Sequence, residues 1–214
     1  MATVCLILGE SGSGKTASLR NMPAADTLVI QSVKKTMPFK AEGWGFRSKE
    51  NPDGNIIVTH DTQTVSSIMS KTQRGVIVLD DWSYATSLPT LNLKGAKGDS
   101  VFQVYRDIAS DLVGILAHAA ALPDEKRVYI MAHTTTDETS GITSMKTAGK
   151  LLSNTITVEG LVTIVLRARK ANGRHFFQTT NDFDTTKTPI GMFADEHIDN
   201  DLSAVDAAIV EYYK

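Results

Sequence analysis

Short apolar runs separated by polar stretches set the pattern of this chain. Each run is a few residues long, is bounded by charged or turn-forming residues, and lacks a strict alternation of apolar and polar positions. Such a run is typical of a strand that is buried on both faces of a sheet. The predicted strands are Thr3–Leu8, Thr27–Gln31, Ile56–Thr59, Gly75–Asp81 and Arg127–His133.

Between the predicted strands, apolar residues recur at helical spacing. Asp61 is placed to cap one helix, Ser100 opens an S-x-x-Q capping box before another, and a third helix covers Leu202–Tyr212. Strands that alternate with helices predict an α/β fold, in which helices flank a mostly parallel, twisted sheet. We expect residues 1–214 to form a single domain.

The second half of the chain departs from this alternation. Leu161–Arg167 and His175–Thr179 predict paired strands, and Asn172-Gly173 between them is a strong signal for the turn of an antiparallel hairpin. The stretch Thr134–Gly149 is rich in Thr, Ser and Gly, and it predicts a mobile loop.

Composition narrows the class of protein. The chain has 214 residues, of which 42% are hydrophobic and 21% charged, which fits one globular domain with a sizeable core. The net charge of −2 provides no overall attraction to DNA. The single cysteine, Cys5, excludes an internal disulfide and fits a reducing cytoplasm. No apolar run approaches the ~18 residues of a membrane span, and the start does not resemble a signal peptide, so we expect a cytoplasmic protein without a membrane partner.

The segment Gly9–Thr16 matches the Walker A pattern G-x-x-x-x-G-K-T and follows the first predicted strand. We expect Ala17–Met22 to be a helix that stops at Pro23. Glycines let such a loop turn its backbone N–H groups toward phosphate, Lys15 reaches the β- and γ-phosphates, and the Thr16 hydroxyl binds Mg²⁺. The predicted ATP-binding residues are Glu10, Ser11, Gly12, Ser13, Gly14, Lys15, Thr16 and Ala17.

Two other predicted strands end in polar residues. The run up to Asp80-Asp81 matches a Walker B strand, in which Asp80 holds Mg²⁺ and Asp81 polarises the attacking water. The alternative is a strand that simply ends in an Asp-Asp turn. His133 follows another strand and could contact the γ-phosphate or the water, although a lone histidine is often structural.

Charge is segregated along the chain. Residues 34–49 carry Lys34, Lys35 and further basic residues among aromatic ones, which favours either single-stranded DNA binding or a solvated loop pinned by its aromatics. Residues 141–175 are mainly basic and residues 182–206 mainly acidic. These opposed segments could meet between subunits, meet within one subunit, or face solvent.

Taken whole, the chain resembles the phage-encoded ATP-binding proteins of RecA-like core, the family that includes the single-strand annealing ATPases. The resemblance covers most of the length. It rests on Gly9–Thr16 and on residues 34–40, 76–81, 130–133, 157–161, 189–193 and 198–202.

The resemblance implies a RecA-like P-loop NTPase that hydrolyses ATP with Mg²⁺. It also implies homo-oligomeric rings or filaments that bind single-stranded DNA in phage replication or recombination, in the host cytoplasm. RecA-like enzymes often place a catalytic glutamate after the second core strand. Here that strand ends in Gln31, which shifts the base role to Asp81. Basic hairpin residues of such enzymes commonly act in trans, a position that Arg167 and Arg169 occupy, with Lys170 beside them.

Two other functions remain open from sequence. A small-molecule or nucleotide kinase also uses G-x-x-x-x-G-K-T, but it needs an arginine-rich lid, and no compact one lies between residue 81 and the hairpin that starts at Leu161. A nucleotide-dependent adaptor that barely hydrolyses ATP is favoured by Gln31. Catalysis by Lys15, Asp81, His133, Arg167 and Arg169 is the expectation of the ATPase hypothesis.

Overall fold

The protein, as a computed structural model, is described over residues 1–92, 98–147 and 157–214. An eight-stranded sheet organises these residues, and a two-stranded ribbon lies beside it. The strands are β1 (Thr3–Leu8), β2 (Thr27–Gln31), β3 (Ile56–Val58), β4 (Val76–Asp80), β5 (Arg127–Ala132), β6 (Thr134–Thr136), β7 (Thr143–Met145), β8 (Ile164–Ala171), β9 (Arg174–Gln178) and β10 (His197–Asp199).

The main sheet has the order β10-β9-β8-β1-β5-β4-β2-β3. Every pairing from β8 to β3 is parallel, whereas β9 and β10 extend one side in antiparallel fashion. The predicted α/β architecture with a mostly parallel sheet is therefore confirmed. Because β5 lies between β1 and β4, the residue after β5 emerges between the residues that follow the other two strands.

Helices cover both faces of the sheet. They are α1 (Thr62–Lys71), α2 (Trp82–Ser87), α3 (Asp99–Ala121) and α4 (Leu202–Tyr212), with short 3-10 helices at Thr16–Asn21, Leu88–Asn92 and Val158–Leu161. Successive residues of β1 point to opposite faces of the sheet. Leu6 packs in one apolar cluster, and Cys5 and Ile7 pack in the other. Cys5 is fully buried, and burial raises the pKa of its thiol well above the usual value.

Two predicted helix starts had different outcomes. The Asp61 side chain accepts a hydrogen bond from the Thr64 N–H at 2.8 Å, so the predicted cap of α1 is confirmed. The prediction for Ser100 was wrong, because α3 already begins at Asp99 and Gly98 is its N-cap residue.

No helix in the part of the chain that the structure describes is long and apolar enough to cross a membrane.

One predicted helix is confirmed with shifted bounds, and one predicted loop needs correction. The helix after the Walker A motif is a 3-10 helix over Thr16–Asn21, and it ends one residue early because Met22 is already extended before Pro23. The predicted loop from Thr134 contains the β6–β7 ribbon, in which Thr134 pairs with Met145; residues 148–149 of that loop lie outside the described ranges.

The predicted C-terminal hairpin is confirmed, with shifted bounds. Asn172 and Gly173 have φ values of 52° and 78°, the left-handed conformation that a two-residue hairpin turn requires. The first strand begins at Ile164 and not at Leu161, which belongs to a 3-10 helix. Residues Cys5–Leu8 of β1 pair with Ile164–Arg167, so this strand belongs to the central sheet and the hairpin is not a separate protruding arm.

Candidate functional site

The loop between β1 and Thr16 needs its glycines for steric reasons. Gly12 and Gly14 have φ values of 78° and 100°, which strain any other residue. A Cβ atom on Gly14 would lie 3.0 Å from Asn200 Oδ1 and from His175 Nδ1. One on Gly9 would lie 2.6 Å from a β8 carbonyl oxygen. The loop therefore packs closely against β8 on one side and against the segment that leads into α4 on the other.

Lys15 points into this loop. Its Nζ donates hydrogen bonds to the carbonyl oxygens of Gly9 at 2.7 Å and Glu10 at 2.9 Å, and the residue is only 6% exposed. Burial lowers the pKa of Lys15 to about 8, although Asp81 and Asp80 act in the opposite direction. Among the described residues, this buried ammonium group hydrogen-bonds only to neutral carbonyls, so it is well prepared to receive an anion.

Asp80 lies across the cleft from Lys15, at the end of β4. The Thr16 hydroxyl donates to its Oδ1 at 2.9 Å, and Gln31 Nε2, its register partner on β2, donates to Oδ2 at 3.4 Å. Asp80 is 1% exposed, and burial together with the charge of Asp81 raises its pKa to about 6. Among the described residues no cation forms an ion pair with Asp80, although the charge of Lys35 acts to lower its pKa.

The Thr16–Asp80 pair fits a magnesium ion chemically, because both side chains offer hard oxygen ligands. Among the described residues, no group of three or more His, Cys, Asp or Glu side chains could hold a metal by itself. Magnesium often uses one or two protein ligands together with water and phosphate oxygens. The donor set is thus suited to a metal that arrives with a phosphate ligand.

Asp81 occupies a left-handed conformation, with φ at 56°, at the start of α2. Its Oδ2 forms an ion pair with Lys35 Nζ, and its Oδ1 lies 3.5 Å from His133 Nε2. The His133 N–H donates to Ser83 Oγ at 2.8 Å, which fixes the end of β5 against α2. Asp81 therefore contacts both a cation and an imidazole.

His133 directly follows β5, which lies between β1 and β4 in the sheet. Its ring meets the Tyr84 ring edge-on, with centroids 5.6 Å apart. Burial and the charge of Lys15 lower the pKa of His133, which favours the neutral imidazole. Nε2 is buried and makes no hydrogen bond to any residue in the described ranges. A buried polar atom of this kind is available to a ligand or to water.

The structure brings together in one cleft of about 450 Å³ most of the residues that the sequence predicted. Lys35, Tyr84 and His175 also line the cleft and were not predicted as site residues. The sequence analysis considered Lys35 only as one of the basic residues of segment 34–49. Its position shortly after β2, at the carboxyl edge of the sheet, could have indicated that it lies in the cleft. The lining includes Ser11, Gly12, Ser13, Gly14, Lys15, Thr16, Ala17, Gln31, Asp80, Asp81 and His133.

Arg167 and Arg169 lie apart from this cleft. They line a smaller hollow beside the same loop, together with Glu10. Arg167 Nη1 is 3.2 Å from Asp184 Oδ2, and Arg169 Nη1 is 3.3 Å from Asp182 Oδ2. The basic and acidic segments thus meet within one subunit, which was one of the three alternatives.

The aromatic residues of segment 34–49 pack inward. Phe39, Trp44 and Phe46 are partly buried against the apolar cluster that contains Cys5, and the Phe39 and Trp44 rings meet edge-on at 6.0 Å. Lys34 Nζ lies 5.0 Å from the centroid of the Phe46 ring. This packing favours the interpretation of a loop pinned by its aromatics over one that displays them for base stacking.

Comparison with known proteins adds little. No protein-family model matches the chain, and no curated protein matches it. Among solved structures, the chain is similar to the P4 protein from bacteriophage phi6 in complex with ADP, with 16% identity and a TM-score of 0.34. The match covers 84% of this chain and 55% of that chain. At these values the likeness carries no conclusion about what this chain binds.

Proposed function

We propose that the chain is a P-loop ATPase that binds ATP with Mg²⁺ in the cleft between β1 and β4. The observation that carries the proposal is the 2.9 Å hydrogen bond from Thr16 to Asp80, with the buried Lys15 ammonium in the same cleft. The motif and the geometry agree, although the two segments are far apart in the sequence.

In this proposal the backbone N–H groups of residues 10–17 bind the phosphates. Lys15 exchanges its bonds to the Gly9 and Glu10 carbonyls for the β- and γ-phosphates. Thr16 and Asp80 would hold Mg²⁺, which would neutralise negative charge on the phosphate groups.

Hydrolysis in this cleft is an in-line displacement. The oxygen of a water attacks the γ-phosphorus, the bond from that phosphorus to the β–γ bridging oxygen breaks, and the electron pair stays on ADP. Asp81 accepts the proton that the water loses. His133, whose Nε2 lies 3.5 Å from Asp81 Oδ1, is placed to orient the water or contact the γ-phosphate.

Several wider features of the proposal rest on the resemblance in the sequence. We include in it a RecA-like core, assembly into a ring or filament of identical subunits, single-stranded DNA as a partner, and a role in phage replication or recombination. A role in trans for Arg167 requires it to leave Asp184, whereas Arg169 is more exposed.

One observation favours a second candidate function, a nucleotide-dependent adaptor with very slow hydrolysis. The proposed base, Asp81, is paired with Lys35, and the strand end where a glutamate is expected carries Gln31. An adaptor would bind ATP but not turn it over.

Single-turnover hydrolysis distinguishes these candidates. Protein in excess over γ-labelled ATP is mixed with Mg²⁺ or with EDTA, and released phosphate is followed. We expect Mg²⁺-dependent release by the wild type. We expect a decrease of about 100-fold in Asp80→Asn, which keeps the shape but removes the charge. Binding without release, over many hours, would favour the adaptor. Equal release by the variant would mean that Asp80 merely ends a strand.

A further inference from the structure

Lys35 is attached to the cleft at two points, one through its backbone and one through its side chain. Its backbone N–H donates to Gln31 Oε1 at 3.2 Å, and Gln31 Nε2 in turn lies 3.4 Å from Asp80. Its Nζ reaches Asp81 and lies 5.1 Å from the centroid of the Tyr84 ring. The backbone is therefore tied to the proposed metal ligand, while the ammonium group contacts the proposed base.

Exposure differs sharply between the two partners of this ion pair. The Lys35 side chain is 48% exposed, whereas that of Asp81 is 9% exposed. Burial favours the neutral amine, but the hydrogen bond and charge of Asp81 outweigh it and raise the pKa of Lys35 above its usual value. Lys35 is thus a charged, flexible side chain that can change partners, while Asp81 is held in place.

The charges of the cleft make such a change favourable. Lys15 and Lys35 both line it, and so do Asp80 and Asp81, so the four side chains balance. A triphosphate adds more negative charge than one Mg²⁺ removes, and Lys15 is the cation that hydrogen-bonds to the loop carbonyls. A second cation at the γ-phosphate is what phosphoryl transfer enzymes commonly supply with an arginine.

We propose that Lys35 contacts the γ-phosphate of ATP bound in its own subunit, and that this contact releases Asp81 to accept the proton of the attacking water. The inference rests on the proposed function and adds a residue to it. Without a γ-phosphate, Lys35 stays on Asp81 and the base is blocked. With one, the ammonium stabilises the charge that develops on the phosphoryl group during the displacement.

The geometry favours Lys35 over the hairpin arginines for this role within one subunit. Arg167 is paired with Asp184, whose side chain is only 2% exposed, and it lines a different hollow. Lys35 already lines the cleft that holds Lys15 and Thr16.

The test compares Lys35→Ala and Lys35→Gln with Lys71→Ala, which removes an exposed lysine of α1 outside the cleft. Equilibrium titrations with ATP and with ADP, both with Mg²⁺, and single-turnover hydrolysis are measured for each. We expect the Lys35 variants to bind ATP about tenfold more weakly, with ADP affinity changed less than about twofold, because only ATP has the γ-phosphate. We expect hydrolysis to fall by about 100-fold. Lys71→Ala should match the wild type.

Mixing variants tests whether the contact is made within one subunit. Lys35→Ala mixed with Lys15→Ala should regain no hydrolysis, because no subunit in the mixture has both lysines. Regained hydrolysis would overturn a contact within the subunit.

Unchanged or faster hydrolysis by Lys35→Ala, or equal weakening of ATP and ADP binding, would overturn the γ-phosphate contact itself. Failure of the wild type to bind ATP would instead reject the proposed function, and thermal unfolding of each variant reveals any loss of folding.

Discussion

The Thr16 hydroxyl donates a hydrogen bond to Asp80 Oδ1 across 2.9 Å, although 64 positions separate the two residues in the chain. β1 and β4 are not neighbours in the sheet, since β5 lies between them. The bond therefore requires the loop after β1 to cross the carboxyl end of β5, so that Thr16 reaches Asp80. It places a hydroxyl and a carboxylate where one metal ion could contact both.

Replacing Asp80 by Asn should stabilise the protein when nucleotide and Mg²⁺ are absent. Burial raises the Asp80 pKa from 3.8 to about 6, so the folded state binds this proton more tightly than the unfolded state. The favourable contribution is present below pH 4 and is lost as the pH rises through 6. Asp80→Asn should thus gain on the order of 1–3 kcal/mol at pH 7 and little at pH 4. Urea unfolding in EDTA at both pH values measures this, and a less stable variant at pH 7 would contradict it.

The two hairpin arginines should differ in their effect on stability. Arg167→Ala leaves the buried Asp184 carboxylate without its cation, and we expect a loss of about 3 kcal/mol. The Arg169–Asp182 pair is exposed on both sides, so Arg169→Ala should cost less than about 1 kcal/mol. Chemical denaturation measures both variants. Adding Asp184→Asn to Arg167→Ala should recover part of the loss, and equal losses in the two single variants would contradict the pairing.

DNA binding, if the proposed partner is correct, should depend on exposed lysines and not on the overall charge. Lys34 and Lys146 are the exposed candidates that the structure describes; Lys94, Lys97 and Lys150 lie outside the described residues, and Lys35 belongs to the cleft. Each phosphate contact removed should flatten the salt dependence by about 0.7 for a single strand. Fluorescence titrations of Lys34→Ala and Lys146→Ala at several salt concentrations measure the slope. No binding by the wild type at low salt would reject this partner.

Assembly into a homo-oligomer should make hydrolysis depend on protein concentration. We expect the ATPase rate per subunit to rise with concentration, because an arginine supplied by a neighbour can add roughly 10³–10⁵ in rate. Arg169→Ala should bind ATP but hydrolyse it slowly. Mixing it with Lys15→Ala should restore some activity, since one intact loop can then meet one intact arginine. A rate per subunit that is independent of concentration, with no rescue, would leave Arg169 as a partner of Gln178 and Asp182 only.

The sequence predicted those features that depend on local pattern. The apolar runs indicated β1 to β5, and Asn172-Gly173 indicated the hairpin turn, because a buried strand and a left-handed turn each constrain nearby residues. Thr16 and Asp80 were predicted as partners through a metal because their motifs carry a chemical mechanism.

The sequence did not predict the partners of charged side chains. Lys35 pairs with Asp81, 46 positions away, because β2 and β4 are neighbours and their carboxyl ends adjoin. Composition counted Lys35 with the basic segment and could not direct it toward the cleft. Arg167 likewise has a buried partner in Asp184, which no spacing rule could select from the acidic residues that follow. Ion pairs of this kind are determined by the fold, whereas strands and turns are indicated locally.

The most direct test of the account is an equilibrium titration of the wild type, Lys15→Ala and Lys71→Ala with ATP in the presence of Mg²⁺. Lys15 Nζ lies inside the loop, bonded to the Gly9 and Glu10 carbonyls, and no other cation of the described residues is directed there. We predict that the wild type and Lys71→Ala bind ATP equally and that Lys15→Ala loses detectable binding. Near-normal ATP affinity in Lys15→Ala would contradict the assignment of this cleft as the nucleotide site.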